Sequence, residues 1–345
     1  MNEQLYNKKS KEDLEKDLND ETFKRITLSF YKYVDFKDLS TFRDKLYKDL
    51  NGLNVLGRVY IAKEGINAQI SIPENQYNNF TGYIHSYKEL KGVQIKNAIQ
   101  EGPSFYKLII KIKNEIVAYG INENSYDMNK VGEHLDPIEF NRQLSKPGSI
   151  VVDIRNHYES EVGHFKNAII PDIDRSQDLL EEVKRLLDGK EDEKILLYCT
   201  GGIRCEKASS FLIKNNFKDV NQLNGGIVNY AHEVKKNKLD SEFIGKNFVF
   251  DSRMGERITP DIISSCHQCK KEADSHTNCK NDLCHLLFIQ CKQCSKNYKG
   301  CCCPECLDYY NLDEKNKKNK KEDFLEFNNK RLKGKVKPKL YDILN

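Results

Sequence analysis

Apolar and polar positions change period several times along the first third of the chain. RITLSFYKYV, from Arg25, is a β-rich apolar run, and DLSTFRDKLYKDL after it has helical spacing. GRVYIAKEGINAQISIP, a helix-like NQYNNFTGYIHSYKEL and SFYKLIIKIKNEIVAYG follow. Within GRVYIAKEGINAQI two β-rich runs flank Glu64-Gly65, which predicts a hairpin turn there. The resulting order β-α-β-β-α-β predicts a ferredoxin-like, acylphosphatase-like domain over 21–125. Lys107, Lys111 and Lys113 fall on one face of its last strand, a basic surface that could hold RNA or simply face solvent.

From about 126 to 244 the pattern alternates strand and helix. SIVVDIR is a strand ending in Asp153, and KILLYC is one ending in Cys199. SSFLIKNNF is helical, VNQL is a short strand, and GGIVNYAHEV opens another helix. Such alternation predicts a parallel sheet covered by helices, with chemistry gathered at the strand ends. Residues 245–310 show little regular period, and 311–345 read as a weakly ordered tail until KLYDIL. The opening 1–20 reads as a flexible, solvated lead-in.

Composition narrows the class. The 345 residues are 38% hydrophobic and 31% charged, which suits a soluble globular chain of several domains. No apolar run reaches the roughly 18 residues of a membrane span, and MNEQLYNKKSKEDLEKD has no signal-peptide core, so the cytoplasm is the expected location and no membrane partner is expected. The net charge of +4 is small, but residues 311–345 hold eleven Lys or Arg against six Asp or Glu. A basic tail of this kind either adds phosphate contacts on nucleic acid or is merely solvated.

Ten of the twelve cysteines lie between Cys266 and Cys306. Without a secreted context a disulfide scaffold is excluded, which leaves metal ligation and thiol chemistry. The spacing Cys266-x2-Cys269, Cys279-x4-Cys284, Cys291-x2-Cys294 and Cys303-x2-Cys306 gives eight ligands for two zinc ions. The first and third pairs could share one ion and the second and fourth the other, or the pairs could divide sequentially. His267, His276 and His285 could substitute, Cys301 and Cys302 are left as spare thiols, and an iron–sulfur cluster is the alternative occupant. A segment so poor in apolar residues needs its ion to fold, so the zinc is expected to be structural.

The remaining two cysteines flank the loop YCTGGIRCEKAS, residues 198–209. A strand delivers Cys199 to the sheet edge, and a helix is expected to begin near Cys205. Gly201 and Gly202 remove Cβ obstruction, so N–H groups can converge on one atom, and Arg204 adds a full positive charge. Together these favour a thiolate at Cys199. Cys205 either resolves an oxidised Cys199 or faces the core. The C-x4-R spacing is one residue shorter than the C-x5-R loops that wrap phosphate, so it suits sulfur better. Asp153 is expected to anchor backbone through Arg155, and His164 to pack or hydrogen-bond; neither is a catalytic candidate. No flavin or nicotinamide fingerprint and no His-carboxylate iron site is present in the sequence.

The central part resembles a rhodanese domain. IVVDIRNHYESEVGHFKNAI matches that family's D-x-R…G-H-x-x-G-A stretch, YCTGGIRC its active-site loop and LNGGI its closing glycine turn. The resemblance gives Cys199 the place of the persulfide-forming cysteine. Asn167 stands where the family has Gly, and Asn tolerates the left-handed backbone that such a turn needs. The whole chain from about 24 to 310 is similar to the bacterial rhodanese-domain tRNA uridine hydroxylases, through GRVYIAKEGINAQISIP, VGEHLDPIEFN, YCTGGIRCEKAS, KNFVFDSRMGERI and SCHQC…TNCKNDLCHLLFIQC. That resemblance implies oxygen-dependent conversion of uridine 34 in the tRNA anticodon to 5-hydroxyuridine, with tRNA and molecular oxygen as substrates. A persulfide sulfurtransferase and a non-enzymatic RNA-binding adaptor are the competing functions, and only the adaptor does without Cys199.

Overall fold

The computed structural model describes residues 5, 9–333, 335 and 337–343, in two compact units. The first comprises residues 1–149, 190–239 and 250–253; the second comprises 150–189, 240–249 and 254–345.

In the first unit, a five-stranded sheet runs in the order Lys96–Asn97, Arg25–Tyr33, Gly65–Pro73, Leu56–Ala62, Leu108–Ile112. The strand Gly65–Pro73 shows why it forms: Ile66, Ala68, Ile70 and Ile72 alternate with polar residues, and all four are fully buried. They meet Leu46 and Leu50 of the helix Leu39–Gly52 and Phe80 and Ile84 of the helix Tyr77–Ser86 in one core. The expected β-α-β-β-α-β order is present, with one change of membership. Its closing strand is the two-residue Lys96–Asn97, antiparallel to Arg25–Tyr33. The longer Leu108–Ile112 is a fifth strand at the opposite edge, parallel to Leu56–Ala62. A two-residue strand has no period to read, so the longer run took its place in the pattern. The hairpin turn is Lys63-Glu64, one residue earlier than expected, since Gly65 already pairs with Ala62. A Cβ at Gly65 would lie 2.2 Å from the carbonyl oxygen of Lys32, so glycine is required by the close approach of that strand.

The same unit holds three parallel strands, Glu133–Leu135, Asp219–Leu223 and Lys194–Tyr198, in that spatial order. Ile195 to Tyr198 are all fully buried, as parallel strands covered on both faces require. The helices Pro137–Leu144, Ile203–Lys214 and Gly226–Asn237 alternate with these strands in sequence. Ahead of the sheet domain, the expected flexible lead-in contains a helix, Lys11–Asn19, whose N-cap Ser10 accepts the Asp13 N–H at 3.1 Å. Residues 1–4 and 6–8 of that lead-in lie outside the described residues.

The second unit contains most of the strand Ser149–Asp153, a three-stranded sheet of Gly163–Phe165, Phe243–Asn247 and Glu256–Arg257, and the hairpin His276–Asn278 with Leu287–Ile289. Its cysteine-rich core also buries Phe324, from the expected weakly ordered tail, and Leu340 of the KLYDIL segment that follows it. That tail is helical over Glu314–Asn319 and Lys321–Leu332. Phe324, Asn328 and Arg331 recur at one helical face and are buried, a stripe masked in the sequence by surrounding lysines. Among the described residues no helix is long and apolar enough to cross a membrane.

Candidate functional site

Cys199 follows the strand Lys194–Tyr198 and is fully buried. The helix after it starts at Ile203, two residues earlier than expected, with Gly202 as its N-cap in the left-handed region at φ +99°. The Gly202 N–H donates to the Cys199 Sγ at 3.1 Å. The opening turn of a second helix, Gly226–Asn237, closes over the loop: the Ile227 and Val228 N–H groups donate to the carbonyls of Cys199 and Thr200 at 3.0 and 3.1 Å. Gly226 permits this, because a Cβ there would lie 2.5 Å from the Cys199 carbonyl oxygen.

Burial alone would push the Cys199 thiol up. A hydrogen bond from Cys205, the Arg204 charge and the N–H groups of Arg204 and Cys205 outweigh it and bring the thiol down to about 6. Cys205, also fully buried, moves the other way, raised by burial and by the neighbouring Cys199. The loop therefore holds one thiolate and one thiol. Arg204 reaches Thr200 Oγ1 at 3.2 Å across the loop. Gly201 was expected to be needed for clearance, yet a Cβ there would meet nothing within 4 Å, so only Gly202 is sterically demanded.

Three residues beside the loop gave no signal in the sequence. Glu206 accepts from Tyr31 Oη at 3.0 Å and from Gln222 Nε2 at 2.9 Å, and it pairs with His134 Nε2 at 2.9 Å. Burial raises its carboxyl, but these partners hold it below the usual carboxylate range. Lys96, from the short edge strand, donates to the Gly201 carbonyl at 2.7 Å and lies 4.6 Å from the centre of the Tyr31 ring. Tyr31 itself stands on the sheet face opposite the core formed by Leu28 and Phe30. Of the three, only Glu206 lies within the loop motif, and its partners come from distant parts of the chain.

In the second unit, two groups of four cysteines each bring their sulfurs within 4.8 Å of one another: Cys266, Cys269, Cys291 and Cys294; and Cys279, Cys284, Cys302 and Cys306. Sulfur separations of 3.6 Å for Cys269–Cys291, 3.7 Å for Cys284–Cys302 and 3.5 Å for Cys302–Cys306 approach the ~3.8 Å edge of a tetrahedron with ~2.3 Å metal–sulfur bonds. Each group could hold a metal ion, a geometry consistent with zinc. The pairs are interleaved, first with third. One member differs from expectation: Cys302 joins the second group where the spacing pointed to Cys303. Cys303 is the N-cap of the helix Pro304–Tyr310, and its sulfur instead accepts from Arg331 Nη1 at 2.9 Å. Arg331 also donates to Cys284 Sγ at 3.2 Å, so the tail helix supplies a cation to the sulfur-rich group. None of His267, His276 and His285 belongs to either group.

The expected supporting residues behave as structure. Arg155 forms a two-pronged pair with Asp153 at 2.8 and 2.6 Å, both fully buried, and His164 Nδ1 bonds the Ser160 carbonyl at 2.9 Å. Asn167 adopts φ +59°, the left-handed turn expected of it.

Family models match three segments: the UPF0176 acylphosphatase-like domain at 25–116, the rhodanese-like domain at 136–233 and the rhodanese C-terminal region at 244–307. The chain is 49% identical to a tRNA uridine(34) hydroxylase of Leptospira interrogans, over 98% of this chain and 93% of that one. The chain belongs to the tRNA uridine(34) hydroxylase family. It is likewise 47% identical to the Yersinia enterocolitica member, over 90% of this chain and 89% of that one. With the Pectobacterium carotovorum member it shares 47% identity, over 89% of this chain and 87% of that one. Family membership thus spans the thiol loop and both cysteine groups alike.

Proposed function

We propose that this chain hydroxylates uridine 34 in the tRNA anticodon to 5-hydroxyuridine, with molecular oxygen as co-substrate and Cys199 as the reacting group. The observation that carries the role of Cys199 is a buried sulfur that accepts the Gly202 N–H at 3.1 Å, where a hydrogen bond from Cys205, the Arg204 charge and the loop N–H groups bring its thiol down to about 6 against burial. Its thiolate can add to the uracil ring, forming a carbon–sulfur bond and leaving an electron pair at C5. Oxygen takes up that pair. One oxygen atom stays on C5, the C5 proton leaves, and departure of the thiolate restores the ring. The second oxygen atom leaves as water with two protons and two electrons from a reductant of the dithiol class. The wobble base must be splayed from its stack to reach a sulfur so enclosed.

The two groups of four cysteines hold zinc, one ion each, in a structural role, since thiolates saturating a tetrahedral ion leave no open position. A cytoplasmic location follows from a tRNA substrate. Sulfur transfer through a Cys199 persulfide is the second reading, favoured by the C-x4-R loop, and thiosulfate-to-cyanide transfer tests it.

The deciding experiment is nucleoside mass spectrometry on tRNA lacking 5-hydroxyuridine, incubated with the zinc-loaded protein and a dithiol. New 5-hydroxyuridine that requires both air and Cys199 is the expected result, with Cys199→Ala slowed by at least ~1000-fold, about 4 kcal/mol of barrier. Undiminished hydroxylation by Cys199→Ala would remove the cysteine from the chemistry.

A further inference from the structure

The peptide linking Gly201 to Gly202 is planar, so its carbonyl and N–H point in opposite directions. Each end has its own partner. The Gly202 N–H donates to the Cys199 sulfur at 3.1 Å, and the Gly201 carbonyl accepts from Lys96 Nζ at 2.7 Å. Turning this peptide over would aim an oxygen lone pair at the sulfur and remove a donor from the thiolate. A bond between two glycines resists such a turn less than any other in the loop, since neither residue carries a Cβ to block it. Gly201 has open space around it, so its own packing does not hold the orientation.

We infer that Lys96 is a positioning residue, which holds the 201–202 peptide with its N–H toward the Cys199 sulfur. The lysine is itself fixed in place. It is buried, Ser29 pairs with it in the sheet, its ammonium lies over the Tyr31 ring, and the next residue's carbonyl accepts from His232 Nε2 at 3.0 Å. Burial brings its ammonium down to about 8, while the Cys199 and Glu206 anions act to keep it charged. The consequence is that the edge strand of the ferredoxin-like sheet belongs to the thiol site, because it decides whether the anion cradle is formed. The inference rests on Cys199 being the reacting group, but it can be read without tRNA or oxygen.

The groups that face the Cys199 sulfur or its immediate partners are Arg204, Cys205 and Glu206 from the helix, Tyr31 and Tyr33 from the first strand, Tyr119, whose hydroxyl donates to the Arg204 carbonyl, His134 through Glu206, and Lys96. The test is the pH dependence of Cys199 alkylation by iodoacetamide, followed peptide by peptide by mass spectrometry on the zinc-loaded chain. Slow access to the buried sulfur lowers the rate at every pH but leaves the midpoint in place. Lys96→Met is expected to move the midpoint up by about one unit, a tenfold loss of thiolate below it. Lys96→Arg, which keeps a cation and a donor, is expected to restore most of the shift. Where Lys96→Met does not fold, Lys96→Gln removes the cation in a more polar form. A wild-type midpoint in either folded variant overturns the inference. Because no hydroxylation is measured, a wrong reading of the reaction and a wrong reading of Lys96 give separate results.

Discussion

The thiol loop and the cysteine groups use the same atom for opposite ends. Around Cys199, a single sulfur faces backbone N–H groups, one thiol and one guanidinium. In the second unit, eight sulfurs stand in two sets of four, with Arg331 donating to Cys284 of one set. The loop lowers the Cys199 thiol by itself, whereas a metal ion bound in each set would be what holds its sulfurs as thiolates. The two arrangements differ in where the sulfur lone pairs go. Hydrogen bonds leave a lone pair free to attack carbon, whereas a tetrahedral metal ion takes one pair from each of four sulfurs and makes them inert. The thiolate alone therefore does not distinguish a reactive cysteine from a structural one; its neighbours do.

The largest effect expected from this contrast lies in the metal groups. Cys302→Ala removes one of four ligands from the second group, while Cys303→Ala removes a thiol that belongs to neither. Structural zinc contributes on the order of 10–16 kcal/mol when fully bound, so losing a ligand costs several kcal/mol. Elemental analysis should find two zinc ions in wild type and in Cys303→Ala, and one in Cys302→Ala with a lowered unfolding temperature. The reverse pattern would return Cys303 to the ligand set.

That exchange of adjacent cysteines shows what was legible in the sequence. Spacing alone marked a cysteine module, and the C-x2-C pairs Cys266-Cys269 and Cys291-Cys294 come together in one group. In Cys301-Cys302-Cys303, however, three candidate ligands sit in a row, and only the backbone decides which one points at the ion. Cys303 takes the extended N-cap position of the helix at φ −152°, and Cys302 is the one whose sulfur joins the second group. The thiol loop was legible because its parts are contiguous from Cys199 to Cys205. Lys96 was not, since it comes from far earlier in the chain, on a strand of two residues. The β-rich run over Gly65–Pro73 was legible as a strand, but the Phe324, Asn328 and Arg331 stripe was diluted by the surrounding lysines.

A smaller effect tests the other side of the comparison. Arg204 is the full positive charge that lowers the Cys199 thiol against its burial. Wild-type Cys199 should react with iodoacetamide at a constant rate well above pH 6 and lose reactivity as pH falls through about 6, where the thiolate takes up a proton. Arg204→Met should place that loss about one unit higher, about 1.4 kcal/mol of differential stabilisation. The backbone N–H of residue 204 remains, so the midpoint should stop well short of the ordinary thiol value of 9.0. A midpoint at the ordinary value would assign the whole depression to the guanidinium and none to the cradle.

A comparable difference separates two neighbouring glycines. Gly202 sits at φ +99°, and a Cβ there would meet Tyr31 Oη at 2.9 Å. Gly202→Ala must therefore strain the backbone and push the tyrosine away from its bond to Glu206, at a cost of about 1–3 kcal/mol. Gly201 has no such constraint, with nothing within 4 Å. Alanine there also reduces the freedom of the unfolded chain, which offsets any small loss, so Gly201→Ala should leave the unfolding free energy within about 0.5 kcal/mol of wild type. Denaturant titration of the two variants reads the difference directly. Equal destabilisation would mean that both glycines are held by the same clearance, and that the loop is packed more tightly around residue 201 than its open surroundings indicate.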